Sequence, residues 1–348
     1  MEYRYTLKPY RKPSDRLICP SCGKRGEFSP YIDKATGEAL NHIVGRCNRE
    51  QSCGYHLKPK DYFKSIGYPL PGGYDPIPEN IRPVDFLPLE LLEQSAHYFR
   101  SSNFYKFFTS AFTSIVADKV FQLYCVGSSR YWQGAVLFPQ IDLDGNFRQA
   151  KIMQYDAATG RRIKSGAIVE KFNPVTKQFE SIKADQDCAK VYGRYLTKDT
   201  KALNLEQVPF GFHLLTEMPD KIICLVEAEK TAMIAAACLP SYCWIASGGS
   251  NGAKWKDYSI TKYFEGREVI LFPDLGQYDN WKAAADHISS IVKCNIKVSP
   301  LLENIATDDE RINGYDLADY LLRSKDKSTG LVLTDDGYPV SFDFNPKW

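Results

Sequence analysis

A chain of 348 residues is long enough for two or three domains. Its 44% apolar and 25% charged residues match soluble globular proteins, and no run nears the roughly 18 apolar residues of a membrane span. A net charge of +2 excludes neither a nucleic-acid partner nor a neutral one, so its distribution matters more. Arg4, Lys8, Arg11, Lys12, Arg16, Lys24 and Arg25 crowd the start against Glu2 and Asp15. Asp308-Asp309-Glu310 and Asp335-Asp336 weight the end the other way. A basic front suits a polyanion; a solvated charged face explains it equally well. Met1-Glu2-Tyr3-Arg4 opens no apolar signal region, so a cytoplasmic protein is expected, with no membrane partner.

Ten cysteines fall into two groups. Cys125, Cys188, Cys224, Cys238, Cys243 and Cys294 are scattered, and several lie in apolar runs where a reduced thiol packs as a small hydrophobe. Cys19 and Cys22 make a C-x2-C knuckle, and Cys47 and Cys53 a looser C-x5-C pair. Four thiolates so paired fit a closed tetrahedral Zn²⁺ site. His42 or His56 is the alternative to one thiol of the second pair. Phe28–Asp33 and Asn41–Gly45 flank the turn Lys34–Gly37, a hairpin signal. Residues 1–66 therefore read as a zinc ribbon.

Pro69, Pro71, Gly72, Gly73, Pro76, Pro78, Pro83 and Pro88 mark residues 67–88 as a semi-rigid linker. Residues 89–125 read as amphipathic helix, with Phe104, Phe107, Phe108, Phe112 and Phe121 spaced for a packed core. Ala135–Asp142 and Phe147–Tyr155 read as strands about Asp144-Gly145, a strong hairpin turn. Residues 89–215 thus form an α+β subdomain.

From 216 to 325 strands and helices alternate. The apolar run Ile222–Val226 stops at Glu227, and a helix follows from Glu229. Tyr242–Ala246 breaks at Ser247-Gly248-Gly249, and Glu268–Phe272 ends at Pro273-Asp274. The helix 281–292 and the strand 295–299 complete an α/β pattern with a parallel sheet flanked by helices. Glu227 and Asp274 fall at the edge where such sheets carry ligand sites, and paired carboxylates there suit a divalent cation. Mg²⁺ requires only one or two protein carboxylates when phosphates and waters complete its shell. Glu229 and Asp279 lie near enough in sequence to add an oxygen. Lys230 is placed to meet phosphates near its helix's positive end, or is an ordinary exposed lysine. Gly314–Leu322 reads as a short helix presenting Asp316 and Asp319 one turn apart. The tail 326–348 carries no recognisable chemistry.

This order resembles the TOPRIM domain of bacterial replicative primases and of phage, plasmid and mobile-element primases. That pattern is an apolar strand ending in Glu, a Gly-bearing turn, and a strand ending in Asp-x-Asp. It reads here as Leu225-Val226-Glu227-Ala228-Glu229-Lys230, Ser247-Gly248-Gly249 and Leu271-Phe272-Pro273-Asp274-Leu275-Gly276, with Gly276 in place of the second Asp. The ribbon, the hairpin before the sheet, the stretch Val208–Leu215 and the Asp316 segment extend the likeness over roughly Cys19–Leu321.

The resemblance implies a TOPRIM-type fold and metal-dependent synthesis of short RNA primers on single-stranded DNA from nucleoside triphosphates. It implies catalytic Glu227, Asp274 and Lys230, with Mg²⁺ or Mn²⁺ at Glu227, Asp274 and Asp279. It also implies that Arg148, Lys151, Arg161 and Arg162 face template and nucleotide, and that Arg25 and Tyr31 hold phosphates and stack bases. Exposed strand charges and core aromatics are the plain alternatives. No G-x-x-x-x-G-K-[ST] occurs, so a replicative helicase would be a separate chain. Gly276 removes charge where two-metal chemistry wants it. The readings are therefore an active primase, a degenerate TOPRIM protein that binds DNA in replication or mobilisation, and, third, a TOPRIM nuclease. Gly248-Gly249-Ser250-Asn251-Gly252 also matches G-x-S-x-G, but His287 falls inside a helix and only one strand separates Ser250 from Asp274, which disfavours a hydrolase.

Overall fold

The computed structural model describes residues 4–50, 52–65, 84–184, 189–192, 203–249 and 252–324. Most of the expected linker, the tail 326–348 and Ser250 lie outside the described residues. The chain divides into two units, Met1–Ile81 and Arg82–Trp348.

The first unit is an antiparallel sheet of β1 (Tyr5–Leu7), β2 (Phe28–Asp33), β3 (Gly45–Cys47) and β4 (His56–Leu57), followed by helix α1 (Pro59–Ser65). Strands β2 and β3 pair as Phe28↔Cys47, which sets the second thiol pair beside the first. Strand β1 adds to the outer edge of β2, Tyr5 opposite Asp33. The core beneath the thiols is little more than Phe28 with Cys19 and Cys47. So small a core does not hold a fold by apolar burial alone.

The second unit opens on α2 (Leu89–His97), α3 (Asn103–Ala111) and α4 (Ser114–Leu123). Ser102 and Thr113 cap α3 and α4 by accepting from Tyr105 N and Val116 N. Strands β5 (Gly127–Ser129), β6 (Ala135–Ile141) and β7 (Phe147–Met153) follow, then the two-stranded β8 (Ile168–Asn173) and β9 (Gln178–Lys183). Strand β10 (Ala189–Val191) closes the antiparallel order β10-β7-β6-β5. The β6–β7 turn forms because the Asp142 carboxylate accepts from the backbone of Asp144 and Asn146.

Next come α5 (Leu214–Glu217), β11 (Ile223–Val226), α6 (Glu229–Cys238), β12 (Cys243–Ala246), α7 (Tyr258–Thr261), β13 (Glu268–Leu271), α8 (Tyr278–Ile291) and β14 (Asn295–Val298). Short helices α9 (Leu301–Ile305), α10 (Asp308–Ile312) and α11 (Leu317–Ser324) end the described chain. Strands β12-β11-β13-β14 form a wholly parallel sheet, with apolar runs in β11, β12 and β13 and an alternating, half-exposed β14 at its edge. Helix α6 is buried almost all round, from Thr231 to Cys238, because α4, α11 and the sheet cover it.

The segments 89–215 and 216–325 share one continuous core, so the aromatic helices serve the parallel sheet as well as their own hairpin. Tyr124 stacks on Phe210 at 4.8 Å between ring centres, and its hydroxyl donates to the Trp244 carbonyl at 2.7 Å. Phe210 and Ala246 exchange backbone hydrogen bonds, fastening the chain before β11 to the end of β12. Among the described residues no helix is long and apolar enough to cross a membrane.

Candidate functional site

In the first unit the two knuckles bring four sulfurs together. Cys19 N donates to the Lys24 carbonyl and Cys53 N to the Arg49 carbonyl, so each pair sits on its own tight turn. Cys19 Sγ lies 3.8 Å from Cys53 Sγ, and Cys22 Sγ 4.0 Å from Cys47 Sγ. A tetrahedron with Zn–S of about 2.3 Å sets its sulfurs roughly 3.8 Å apart. All four lie within 4.8 Å of one another, and no other such group of His, Cys, Asp or Glu occurs among the described residues. The thiols are therefore the zinc set, and neither histidine replaces one. His42 is exposed, and His56 faces Tyr31, its Nε2 3.1 Å from the phenol oxygen. Arg25 is exposed on the same unit.

In the second unit Glu227 and Asp274 stand just beyond the C-terminal ends of β11 and β13, adjacent parallel strands. Glu227 is held through its backbone: its carbonyl accepts from Gly248 N at 2.9 Å and Gly249 N at 3.2 Å. The Gly-bearing turn thus latches directly onto the peptide that carries the acid. Asp274 is half-buried, and its surroundings are unfavourable to charge. Burial first, then the like charges of Asp316 and Glu227, push its carboxyl up to about 7, with Asp319 adding and Lys230 opposing. Asp319 is raised as well, by burial and by Asp316, while Lys230 and Arg161 pull it back. Lys230 Nζ sits 3.7 Å from Asp316 Oδ2, which also accepts from Thr231 Oγ1 at 2.9 Å. Four carboxylates and Lys230 therefore feel one another at one sheet edge.

Asp316 and Asp319 also have a structural task. Asp319 N donates to Asp316 Oδ1 at 3.2 Å and Asp316 N to Asp319 Oδ2 at 3.0 Å, the reciprocal pattern of a capping box at the start of α11. Sequence reasoning placed this pair one turn apart without joining it to Glu227 and Asp274. The D-x-x-D spacing after the last strand was the available signal. Asp279 lies exposed in the first turn of α8.

Gly276 is not simply a vacated acidic position. Its φ of +78° lies in the left-handed region, and its N–H donates to Glu303 Oε1 at 2.7 Å. An aspartate there meets nothing within 4 Å of its Cβ but takes on a left-handed backbone, costing about 1–2 kcal/mol.

The basic residues divide sharply. Lys151 on β7 reaches Glu229 Oε1 at 2.9 Å and donates to the Gly248 carbonyl. Glu229 is buried, 4% exposed at its side chain, so this ion pair ties the hairpin to the first turn of α6. Gly248, at φ +76°, must lack a side chain, since a Cβ would lie 3.0 Å from Glu229 Oε1 and 3.1 Å from Lys151 Nζ. Arg148 is engaged by Asp142 and Glu206, each at 3.2 Å. Arg161 and Arg162 are exposed on the turn after β7. Lys151→Met is expected to lower stability by about 3 kcal/mol, because Glu229 stays buried without its cation. Urea unfolding measures it, and the double variant with Glu229→Gln should recover most of the loss. Equal stability of the Lys151→Met variant and wild type would refute the coupling.

Asp274 makes stability depend on pH with a definite sign. Below its ordinary value of 3.8 the carboxyl is protonated in both folded and unfolded chains, so nothing is lost. Between there and about 7 the unfolded chain ionises first, and stability falls as pH rises; above about 7 the penalty is complete. Without divalent metal, the wild type should melt lower near pH 8 than near pH 5, and Asp274→Asn should lose much of that decline. Matching melting profiles across pH would contradict the arrangement.

Hard oxygen donors repelling one another suit a hard divalent cation, which reverses the repulsion. Glu227 and Asp274, at the ends of adjacent strands, are placed to offer oxygens to such an ion.

A family model described as Domain of unknown function (DUF6371) matches residues 102–275. A zinc beta-ribbon finger model matches residues 3–68, which with the four-thiol geometry supports a structural zinc site. No curated protein matches the chain. The chain is similar to the primase fragment of the bacteriophage T7 primase-helicase protein at 12% identity, covering 86% of this chain and 97% of that one. The TM-score of that pair is 0.33, too low to argue from.

Proposed function

The chain belongs to the DUF6371 family, a domain of unknown function, and from its carboxylate edge we propose a metal-dependent primase that joins ribonucleotides on single-stranded DNA. The observation that carries this reading is the convergence of Glu227, Asp274, Asp316 and Asp319 with Lys230 at the C-terminal edge of a parallel sheet. Such a cluster is unstable unless something cationic sits among the carboxylates. A divalent ion with triphosphate oxygens answers that need, and the ordered motifs of the sequence name the same residues.

Phosphoryl transfer depends chiefly on positioning and on charge neutralisation. The Gly248–Gly249 latch fixes the peptide that carries Glu227, and Asp274 follows the end of β13, so both acids sit on backbone anchored to the sheet. Lys230 opens α6, where its ammonium and the helix's positive end both favour phosphate. Arg161 and Arg162 are exposed on the turn after β7 and suit the template backbone, whereas Arg148 and Lys151 hold the subdomain together. Nucleoside triphosphates and single-stranded DNA are then the partners, with a separate helicase opening the duplex.

A second reading rests on a specific feature. No three of the described carboxylates come close enough together to form a ligand set by themselves, and Gly276 offers no acid. A DNA-binding accessory with a residual edge accounts for both. Labelled ribonucleotide, single-stranded DNA and purified protein with Mg²⁺ or Mn²⁺ separate the two. Short metal-dependent products support the primase; DNA binding with no product under either metal leaves the accessory.

A further inference from the structure

We propose that a groove between α2, α3, β5 and β9 is a second nucleic-acid site, a channel that holds single-stranded DNA or RNA by base stacking. It encloses about 1040 Å³, at the upper end of the range of small-molecule sites, which leaves room for several nucleotide units. Its lining includes two cations, Lys106 and Arg130, and no carboxylate. Both cations are exposed, and neither makes an ion pair among the described residues. The groove therefore carries uncompensated positive charge, complementary to a polyanion.

The rings at this groove explain the rest of the chemistry. Trp132 forms part of the wall at 3% exposure, while Tyr98 is 61% and Phe179 38% exposed. An open tyrosine and an open phenylalanine beside unpaired cations are what bases and phosphates require together: π faces for stacking and charge for the backbone. An acidic peptide would use the cations and leave the rings in water. A purely apolar ligand would use the rings and leave the cations unanswered.

One lining residue is tied to the chain that follows β7. Asn103, in its lining, donates from Nδ2 to the Tyr155 carbonyl at 3.3 Å. The turn that follows Tyr155 carries Arg161, whose charge acts on Asp319. A strand bound here therefore lies against a side chain, Asn103, that is fastened to the segment leading into that turn. Naming this strand the template rests on the primer-synthesis reading; its binding does not.

The test uses the full chain, EDTA and a fluorescein-labelled thymidine oligomer of about twenty nucleotides, read by anisotropy over a salt series. Tyr98→Ala is expected to weaken binding roughly 5- to 100-fold, and Lys106→Glu with Arg130→Glu to lower the salt slope by about two. All three side chains are exposed, so melting temperatures should not move, and circular dichroism checks this. Photo-crosslinking from 5-iodouracil should label peptides containing Tyr98 or Phe179. Unchanged affinity in these variants, crosslinks confined to other segments, or a groove that takes free nucleotide and not the oligomer would each overturn the proposal. Glu227→Gln should bind the oligomer normally, and a wild-type chain that binds in the groove yet joins no ribonucleotide with either metal condemns only the primase reading.

Discussion

Near pH 8, Asp274→Asn is expected to melt higher than the wild type and to have lost ribonucleotide joining. The two effects share one cause. The carboxylate is held where burial, Asp316 and Glu227 oppose its charge, so the folded chain is strained by ionising it. An amide of nearly the same shape removes that strain and removes the ligand together. Loss of a ligand to the transferring phosphates should cost roughly 10³-fold in rate, about 4 kcal/mol of barrier. Glu227→Gln should lose activity to a similar degree, while oligonucleotide binding stays near wild type in both. A structural carboxylate gives the opposite signature, in which stability and activity fall together. An Asp274→Asn protein that joins ribonucleotides at the wild-type rate would end the catalytic assignment of this edge.

What could be read in advance followed from local signals. The parallel sheet was legible because three of its strands, β11, β12 and β13, are apolar runs ended by Glu227, by Ser247–Gly249 or by Asp274. The hairpin before it was legible from Asp144-Gly145, and the ribbon from the spacing of Cys19, Cys22, Cys47 and Cys53. Strand β1 carries no such signal: three residues, Tyr5–Leu7, pair with a strand more than twenty positions away. Nor does any local pattern show that Tyr124 reaches the Trp244 carbonyl, which joins two segments that composition alone separates.

The basic residues show the limit most clearly. Arg148 and Lys151 look alike as polar positions on one strand, yet both are occupied, Arg148 by Asp142 and Glu206 and Lys151 by Glu229 and the Gly248 carbonyl. Charge on a strand face is visible in sequence, but the carboxylate that cancels it usually comes from elsewhere in the chain. Asp316 and Asp319 were visible as a spaced pair. Their effect on Asp274 arises only when α11 packs against α6. Tyr98 and Arg130 matter jointly because a helix end and an edge strand meet, which no periodicity announces.

Removal of zinc is expected to unfold the first unit while the second keeps its melting transition. Phe28 with the thiols is too small a core to offset chain entropy, so the metal must supply the difference. Structural Zn²⁺ in such units is worth about 10–16 kcal/mol near neutral pH. The thiols enter binding unequally. The Lys24 backbone N–H, ahead of the neighbouring thiols, holds Cys22 down at about 7, whereas burial pushes Cys47 up to about 12. All four thiols must shed their protons to bind the metal, so zinc affinity should fall steeply as pH drops. Cys22→Ser, or a strong chelator on the intact chain, should abolish hydrogen-exchange protection across residues 15–60 and leave the parallel sheet protected. Natively purified protein should carry one zinc per chain by elemental analysis. A chain free of zinc that still protects residues 15–60 would show that the four sulfurs are packed hydrophobes and not ligands.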